Sequence, residues 1–518
     1  VAISMSKTII IIGAGLAGLS AALQAAENGC NVKLVSSLPS ERAQSVMAEG
    51  GINAALNTKD ENDSPEEHFT DTIKAACGLA DPNAVWGMTQ AAPELVHWLL
   101  KLGVKFNMSG YDDVDLRNFG GQKKKRTAFA QSDTGKQIMT AMIDAVRRKE
   151  ASGMVERFSH HSFLTLRLCG NICCGCVIRD EYSQETVELP GDAVIVATGG
   201  MHGLFGNTTG SLSNTGEVTA ELFRLGVPLA NGEMIQYHPT TVKCGGKRML
   251  ISEAARGEGG RLFAMKDGKQ WYFMEEKYPE LGNLMPRDIT AREIWKVSHE
   301  SEVFLDMTEI SEEIISNKLS GLADDCMTYL HKDIRKEPVS VLPGIHYFMG
   351  GILVDEQHRT PIQNLYAAGE CCAQYHGANR LGGNSLLGAL YGGRVAAKSA
   401  CEQADVVDLF CATQIDFPPA SQISEIKQLN KVMQETMGVV RNENTLLNGI
   451  QTVQALTGNL PLLGMAVLKS ALARKESRGA HWREDYPKSN DDDYLKTTVA
   501  RFDGKQIQIS FVPVPERR

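Results

Sequence analysis

The sequence has no long uninterrupted apolar run and no excess of basic residues. Its longest apolar stretch, residues 8–23, is broken by three glycines and is shorter than the about 20 continuous apolar residues of a membrane-spanning helix. Lys and Arg number 53 against 62 Asp and Glu, a net charge of −9, which argues against nucleic-acid binding and against adhesion to anionic lipid. Residues 1–7 contain one cation, Lys7, and no cleavage-site pattern, so we expect no secretory signal.

The 12 cysteines are neither dense nor regularly spaced, and no CxxCH haem motif occurs. One tight group, formed by Cys169, Cys173, Cys174 and Cys176, lies in an alternating apolar stretch that is typical of a hairpin. The sequence contains no second pair at the spacing of a zinc site. We therefore expect buried, reduced thiols of a cytosolic protein and no metal.

A dinucleotide-binding unit is predicted near the start of the sequence. An apolar run over residues 8–12, the motif Gly13-Ala14-Gly15-Leu-Ala-Gly18, a helix ended by Gly29 and a second apolar run over residues 31–35 follow one another. In this arrangement Gly13 permits a tight turn, Gly15 lets the backbone approach a pyrophosphate, and Gly18 lets the helix pack closely on the strand. The helix then presents its amino-terminal N–H groups to the phosphate charge.

Two further strands predict a nucleotide domain that the chain leaves and re-enters. Residues 192–200 and 365–370 are apolar runs that end in small residues, an arrangement typical of two-dinucleotide flavoproteins and one that favours FAD over NAD. We predict an α/β fold with a Rossmann-like FAD-binding domain of this type over residues 1–237 and 342–412. An inserted α+β capping domain is expected over 238–341. A C-terminal helical region is expected over 413–482, with helices at 424–437, 446–456 and 461–474. The C-terminal region over 483–518 is expected to contain a turn at 490–493 and a late strand at 506–512.

Polar side chains are clustered among glycines in segments 236–240, 252–260, 286–288, 346–351 and 376–385. A histidine or arginine taken alone is more often structural than catalytic. Together these segments offer arginines, histidines, a hydroxyl and a carboxylate. Such a set suits a small dianion, because arginine forks bind carboxylates bidentately and the other groups add donors.

These segments, together with 255–261, 271–279, 283–293 and 473–481, resemble the flavoprotein subunits of the succinate dehydrogenase and fumarate reductase family (complex II). The resemblance covers nearly the whole sequence and is closest in style to the menaquinone-linked bacterial branch. It implies interconversion of fumarate and succinate by hydride transfer through N5 of FAD. It also implies an iron–sulfur protein partner, a quinone-reactive membrane-anchor subunit reached through that partner, and a peripheral position on the cytoplasmic face of the bacterial membrane.

The resemblance also implies roles for individual residues. The substrate carboxylates are expected to be held by His238, Ser252, His346 and Arg380. Arg287 matches the acid that protonates the substrate carbon, and Glu253 and Arg256 match the relay that resupplies its proton. The expected FAD-contacting residues are Gly13, Ala14, Gly15, Gly18, Ser36, Ser45, Glu49, Gly50, Gly51, Thr198, Gly199, Glu217, Glu370, Arg380, Asn384, Ser385 and Leu386.

One position departs from the family pattern. The family usually has a histidine that bonds covalently to the FAD 8α-methyl carbon, and Gln44 stands in its place. An amide cannot form that bond, so we predict noncovalent FAD. Because covalent attachment is associated with a higher flavin potential in this family, the departure favours fumarate reduction over succinate oxidation.

Other functions remain open at this point. L-aspartate oxidase shares the fold, noncovalent FAD and a related active site, but segments 271–279 and 380–384 and the tail beyond residue 490 look like complex II. A soluble single-subunit fumarate reductase usually carries haem or extra flavin domains. A non-catalytic flavin-binding protein would have lost some member of the active-site set, which is intact here. The basic run Lys123-Lys-Lys-Arg126 is interpreted as a solvated face.

Overall fold

The computed structural model describes residues 6–111, 113–406, 415, 417 and 422–518. Its strands are β1 Thr8–Ile12, β2 Asn31–Ser36, β3 Ile52–Asn53, β4 Leu116–Arg117, β5 Thr127–Ala128, β6 Val155–Ser159, β7 His161–Cys169, β8 Ile172–Asp180, β9 Thr186–Pro190, β10 Ala193–Val196, β11 Leu229–Ala230, β12 Ile235–Cys244, β13 Lys247–Leu250, β14 Arg261–Lys266, β15 Lys269–Trp271, β16 Val303–Asp306, β17 Val339–Ser340, β18 Leu342–Phe348, β19 Gly351–Leu353, β20 Leu365–Ala367, β21 Cys372–Ala373, β22 Lys496–Phe502 and β23 Ile507–Pro513. Its helices are α1 Leu16–Glu27, α2 Pro65–Ala75, α3 Pro82–Lys101, α4 Thr134–Ala151, α5 Glu217–Arg224, α6 Glu253–Gly257, α7 Phe273–Lys277, α8 Arg287–Val297, α9 Glu312–Lys318, α10 Ser320–Asp325, α11 Asn384–Gln403, α12 Ile423–Thr436, α13 Glu443–Val453, α14 Asn459–Ala473 and α15 Asp491–Tyr494.

The nucleotide domain is built on a parallel sheet with the strand order β20-β10-β1-β2-β6. Its strands β1 and β10 are apolar and almost wholly buried, as expected for a parallel sheet covered on both faces. The predicted strands at residues 8–12, 31–35, 192–200 and 365–370 are confirmed within a few residues. Strands β1, β10 and β20 come from distant parts of the sequence, so the chain does leave this sheet and return to it.

The glycine loop after β1 has the geometry that the sequence predicts. Gly13 has φ +108°, and a Cβ atom there would lie 2.2 Å from the carbonyl oxygen of Ala197. A Cβ atom on Gly18 would lie 1.8 Å from the carbonyl oxygen of Gly13, so only glycine permits this approach of α1 to the loop. A Cβ atom on Gly15 would meet no protein atom closer than Ser45 Oγ at 3.7 Å. The space beside Gly15 is therefore open.

The region between β12 and β18 has a hydrophobic core of its own. Sheets β13-β12-β18 and β15-β14-β16-β17 and helices α6 to α10 enclose Ile251, Leu262, Ile294 and Leu305, among others. The predicted boundary after residue 237 falls within β12, and the predicted return at residue 342 coincides with the start of β18. An α+β region is thus inserted between strands of the nucleotide domain.

The helices predicted after residue 413 are present as α12, α13 and α14. The turn expected at residues 490–493 is the beginning of α15, where the Asn490 side chain accepts a hydrogen bond from Asp493 N–H at 3.2 Å. The predicted late strand is β23, which pairs with β22 beside β11. Over the described residues, no helix is both long and apolar enough to cross a membrane.

The cysteine hairpin is confirmed as β7 and β8. Cys173, Cys174 and Cys176 are free and buried, as expected. Cys169 is disulfide-bonded, so the expectation of a reduced thiol is wrong at this position. It is the half-buried member of the group, at the end of β7. Among the described residues no group of His, Cys, Asp and Glu is arranged to hold a metal ion.

Candidate active site

Two helix amino termini form the predicted FAD cradle. The α1 terminus begins at Gly15 without a side-chain cap, and Leu16 N–H donates to Ser45 Oγ at 3.3 Å. Ser36 ends the neighbouring strand β2, and its Oγ is buried without a hydrogen-bond partner in the described structure. Open backbone N–H groups beside a side-chain-free glycine suit a phosphate, and the orphaned hydroxyl of Ser36 suits a ribose. The residues present therefore fit a dinucleotide.

The second helix terminus, that of α11, rests on a buried polar network. Asn384 is its first residue, and its Oδ1 accepts hydrogen bonds from Asn53 Nδ2 at 2.8 Å and His68 Nε2 at 2.9 Å. Its Nδ2 donates to Thr72 Oγ1 at 3.0 Å. Ser385 is half-buried on the next position, and Leu386 is buried. The network fixes the backbone of the segment that is expected to contact FAD.

The other predicted FAD contacts occupy loops around these helices. Thr198 and Gly199 follow β10, and the Glu370 carboxylate after β20 accepts a hydrogen bond from Phe348 N–H at 3.1 Å. Glu217 is exposed at the start of α5. Gly51 has φ +133°. These positions stay predictions, because their contacts to a cofactor depend on the cofactor itself.

Gln44 and Glu49 are the first and last residues of the segment that precedes Gly50. Gln44 lies in a 3₁₀ turn, Gln44–Met47, and its Oε1 accepts a hydrogen bond from Ser211 N–H at 2.6 Å. Burial, followed by the charges of Asp325 and Asp133, raises the pKa of Glu49 to about 8. The amide of Gln44 is thus held in place by the loop that follows β10.

The predicted acid and its relay form a buried ion-pair group. Arg287 Nε and Nη2 donate to Glu253 Oε2 at 2.8 and 2.6 Å. Arg256 Nη2 lies 3.3 Å from Glu253 Oε1, which also accepts from Gly120 N–H at 3.0 Å. These three ionic side chains expose at most 6% of their surface. Burial favours a raised pKa for Glu253, but the charges of Arg287 and Arg256 outweigh it and lower that pKa.

The histidines of the predicted substrate clamp are neighbours. The rings of His238 and His346 pack edge to face with their centroids 5.1 Å apart. Burial, and then the charge of Arg287, lower both pKa values well below the usual range, so both rings are neutral at pH 7. His346 Nδ1 lies 2.7 Å from Thr209 Oγ1. Ser252 caps α6, its Oγ accepting a hydrogen bond from Ala254 N–H at 3.4 Å.

Arg380 completes the cluster from the opposite, FAD-binding side. Its guanidinium carbon lies 4.4 Å from the centroid of the Tyr347 ring, and its Nε is buried without a hydrogen-bond partner among the described residues. Burial, and then the nearby Arg287, lower its pKa to about 9. The structure therefore brings together three residues of the predicted clamp, His238, His346 and Arg380, and the predicted acid, Arg287.

Gln236 is a site residue whose role the sequence did not reveal. Its Oε1 accepts from Arg287 Nη1 at 3.1 Å, while its Nε2 donates to the carbonyl of Arg380 at 2.8 Å and to Asn379 Oδ1 at 3.0 Å. The sequence placed it in a polar cluster but gave no sign of which side chains it would join. Gln236 lies two residues before His238, and such residues share a face of a strand. This spacing was the signal that could have placed Gln236 in the site.

The cluster carries more positive than negative charge. Arg256, Arg287 and Arg380 are all buried, and Glu253 is the carboxylate that bonds two of them. The neighbouring histidines are neutral, and the three arginines are accompanied by Glu253 and, beside Arg380, by Glu370, so positive charge remains in excess. Because buried charge is costly unless it is paired, this excess of positive charge favours an anionic ligand.

The chain is similar to known flavoproteins over nearly its whole length. Residues 8–386 match the family model described as an FAD binding domain, and residues 456–517 match the one described as fumarate reductase flavoprotein C-term. The succinate dehydrogenase flavoprotein subunit of Bacillus subtilis is 38% identical over 99% of this chain and 98% of its own length. The 8-methylmenaquinol:fumarate reductase flavoprotein subunit of Wolinella succinogenes is 32% identical over 99% of this chain and 92% of its own length.

Solved structures give the same result. The quinol fumarate reductase of E. coli matches with a TM-score of 0.88 and 27% identity over 98% of this chain and 97% of that chain. The alternative of L-aspartate oxidase is not supported by these relatives. This chain belongs to the family of succinate dehydrogenase and fumarate reductase flavoprotein subunits.

Proposed function

We propose that this FAD-dependent oxidoreductase interconverts fumarate and succinate at the cluster formed by His238, Ser252, His346, Arg287 and Arg380. The observation that carries this proposal is the excess of buried positive charge among Arg256, Arg287 and Arg380, which suits an anionic substrate such as a four-carbon dicarboxylate. Neutral histidines and a serine hydroxyl add hydrogen-bond donors without further charge. We also assign residues 238–341 the role of a capping domain, because they supply the acid side of this cluster.

The side chains of the cluster have two roles, substrate binding and proton transfer. Arg380, His346, His238 and Ser252 hold the two carboxylates and fix the alkene, which contributes to the rate through orientation. FAD, when bound, supplies two electrons and one proton as a hydride to one alkene carbon. The guanidinium of Arg287 gives a proton to the other carbon, so fumarate gains two electrons and two protons in total.

The ion-pair group makes this proton transfer feasible. An arginine is a weak acid in water, but Arg287 is buried next to a second arginine, and both share Glu253. After Arg287 loses its proton, a proton passing through Glu253 Oε2 to Arg287 Nε or Nη2 restores the guanidinium. Arg256 then balances the charge of the carboxylate during the transfer. Arg287 is therefore the catalytic acid, and Glu253 and Arg256 resupply it.

Replacing Arg287 tests this assignment directly. Arg287→Ala should lower viologen-linked fumarate reduction by about 100-fold or more, because the proton donor is lost. Lys296→Ala is a matched control on α8, where Lys296 is half-exposed and contacts Glu293; this variant should keep normal turnover. Normal fumarate reduction by Arg287→Ala, with FAD bound, would refute the proposal.

We propose further that FAD is held noncovalently, because the Gln44 amide cannot bond to the flavin methyl carbon. Acid precipitation should leave the polypeptide colourless and all flavin in the supernatant. Flavin that stays with the precipitated polypeptide would contradict this. Loss of the covalent bond lowers the flavin potential, and about 30 mV corresponds to roughly 1.4 kcal/mol for a two-electron couple, so we expect a bias towards fumarate reduction.

As partners we propose an iron–sulfur protein and, through it, a quinone-reactive membrane anchor that places the subunit peripherally on the cytoplasmic face of the bacterial membrane. The family membership supports this, and relatives named as quinol-linked fumarate reductases support the quinone link. Isolation of the native assembly and measurement of fumarate reduction and succinate oxidation with a quinol and a quinone would test partners and direction together. Full activity of the isolated chain with a quinol would contradict the need for a partner.

A further inference from the structure

Two cysteines that are far apart in the sequence lie side by side at the edge of the nucleotide domain. Cys30 lies in the turn between α1 and β2, and Cys401 lies in the last turn of α11. Their Sγ atoms are 2.9 Å apart. A disulfide requires about 2.05 Å, so the two sulfur atoms need to approach by only about 0.9 Å. Both cysteines are free in this structure.

The approach of the two cysteines follows from the packing of α1 against α11. The helices touch closely, since a Cβ atom on Gly393 would lie 2.3 Å from the carbonyl oxygen of Ala17. Ser20 Oγ donates to the carbonyl of Leu390 at 2.6 Å across the same contact. The two helices that bring the cysteines together are thus fixed against each other by the core.

The surroundings of the pair favour thiol chemistry. Lys7 Nζ donates to the carbonyl of Cys401 at 2.8 Å, which places a cation beside the sulfur atoms. The contact with Cys401, opposed by burial and aided by the charge of Lys7, lowers the pKa of the Cys30 thiol, and the same contact raises the pKa of Cys401, so the thiolate of the pair lies on Cys30. Thiolates are the reactive form in disulfide exchange. Cys401 is half-buried, whereas Cys30 is buried, so Cys401 is the more exposed member of the pair.

We propose that Cys30 and Cys401 form a reversible dithiol–disulfide couple that exchanges with small-molecule disulfides of the glutathione type. Cys30, the thiolate of the pair, accepts the proton of Cys401 across the 2.9 Å contact as the half-buried Cys401 sulfur attacks the external disulfide, which releases one small thiolate. Cys30, as the second thiolate, then attacks Cys401 Sγ in this mixed disulfide and releases the other. The two cysteines lose two electrons and two protons, and the external disulfide gains them as two thiols.

Closure of this bond links the ends of the two helices whose beginnings carry Gly15 and Asn384. A covalent bond between residues so far apart in the sequence restricts the unfolded chain strongly. The oxidised protein should therefore resist unfolding of the nucleotide domain more than the reduced protein. This inference depends only on the geometry of the two helices and not on the reaction proposed above.

The test is a redox titration of the full chain with FAD bound. Samples equilibrated at increasing ratios of oxidised to reduced glutathione are quenched in acid, denatured, alkylated and analysed by fragmentation mass spectrometry. Cys30 and Cys401 should lose alkylation together, with one midpoint, in a linked peptide pair two hydrogens lighter than the reduced pair. Cys244→Ser, which removes a half-buried free thiol at the end of β12, is the matched control and should titrate like the wild type.

The outcomes separate clearly. Separate midpoints for the two cysteines, stable glutathione adducts on either one in the wild type, or full alkylation of both under oxidising conditions would each overturn the proposal. The thermal unfolding midpoint should rise on oxidation of the wild type and of Cys244→Ser, and it should not rise for Cys30→Ala or Cys401→Ala. The wild-type titration decides the question even if a buried alanine variant fails to fold.

Discussion

Replacing His68 by glutamine should make the free energy of unfolding less dependent on pH in mild acid. His68 lies on α2 with no exposed surface, and its Nε2 is 2.9 Å from Asn384 Oδ1 at the start of α11. Burial, and then the charge of Arg126, lower its pKa to about 3, although the hydrogen bond to Asn384 opposes them. The ring is therefore neutral in the folded protein over the whole working range of pH.

The magnitude follows from the difference between the folded and unfolded pKa values. An unfolded histidine has a pKa of about 6.5. Below that pH, His68 is protonated in the unfolded chain but not in the folded chain. The contribution of His68 is complete above pH 6.5 and is lost as the pH falls from 6.5 towards 3. At pH 5, about 1.5 units below the unfolded value, the loss is about 2 kcal/mol.

The assay is urea unfolding of the FAD-bound protein at pH 7 and pH 5. Glutamine keeps an N–H donor for Asn384 and cannot be protonated, so the wild type should lose about 2 kcal/mol more than His68→Gln between the two pH values. His97→Gln, at an exposed position on α3, is the matched control and should follow the wild type. Equal pH dependence in the wild type and His68→Gln would refute the reasoning.

Two further predictions concern the cluster and the cradle. Glu253→Gln leaves the guanidinium of Arg287 buried without its charge partner, so urea unfolding should show a loss of about 3–5 kcal/mol; unchanged stability would contradict the ion-pair reading. Gly18→Ala places a Cβ 1.8 Å from the carbonyl oxygen of Gly13 and should destabilise the apoprotein by about 1–3 kcal/mol. Gly15→Ala places a Cβ no closer than 3.7 Å to any protein atom, so it should leave apoprotein stability unchanged but weaken FAD binding by about tenfold or more in a flavin fluorescence titration. Equal stability losses in both variants would contradict the separate roles of the two glycines.

Local pattern was enough to predict the nucleotide domain. The apolar strands and the spacing of Gly13, Gly15 and Gly18 specify their own conformation, because the turn and the helix packing involve residues close in sequence. Strand β6 was missed, since its sequence, with Glu156 and Arg157 near its centre, lacks the apolar run of a buried strand. It lies at the edge of the sheet, where polar side chains are tolerated.

Local sequence pattern did not predict the interactions between distant segments. Arg126 was grouped with the solvated lysines before it, but its guanidinium is fully buried and its Nη2 lies 2.8 Å from Asp63 Oδ1 and 3.0 Å from Asp71 Oδ2. Lys123 and Lys125 are exposed as expected. The sequence of four basic residues does not indicate which of them will pair with carboxylates some 60 positions away. Only the packing of α2 brings these carboxylates and the arginine together.

The position of Gln236 explains why the cluster depends on the fold as a whole. Arg287 belongs to the inserted region and Arg380 to the nucleotide domain, and Gln236 bonds the side chain of one and the backbone of the other. Like charges held in one cavity repel, so they stay together only where fixed dipoles and shared carboxylates hold them. A bound anionic substrate reduces the remaining repulsion, so it also stabilises the contact between the two parts of the chain.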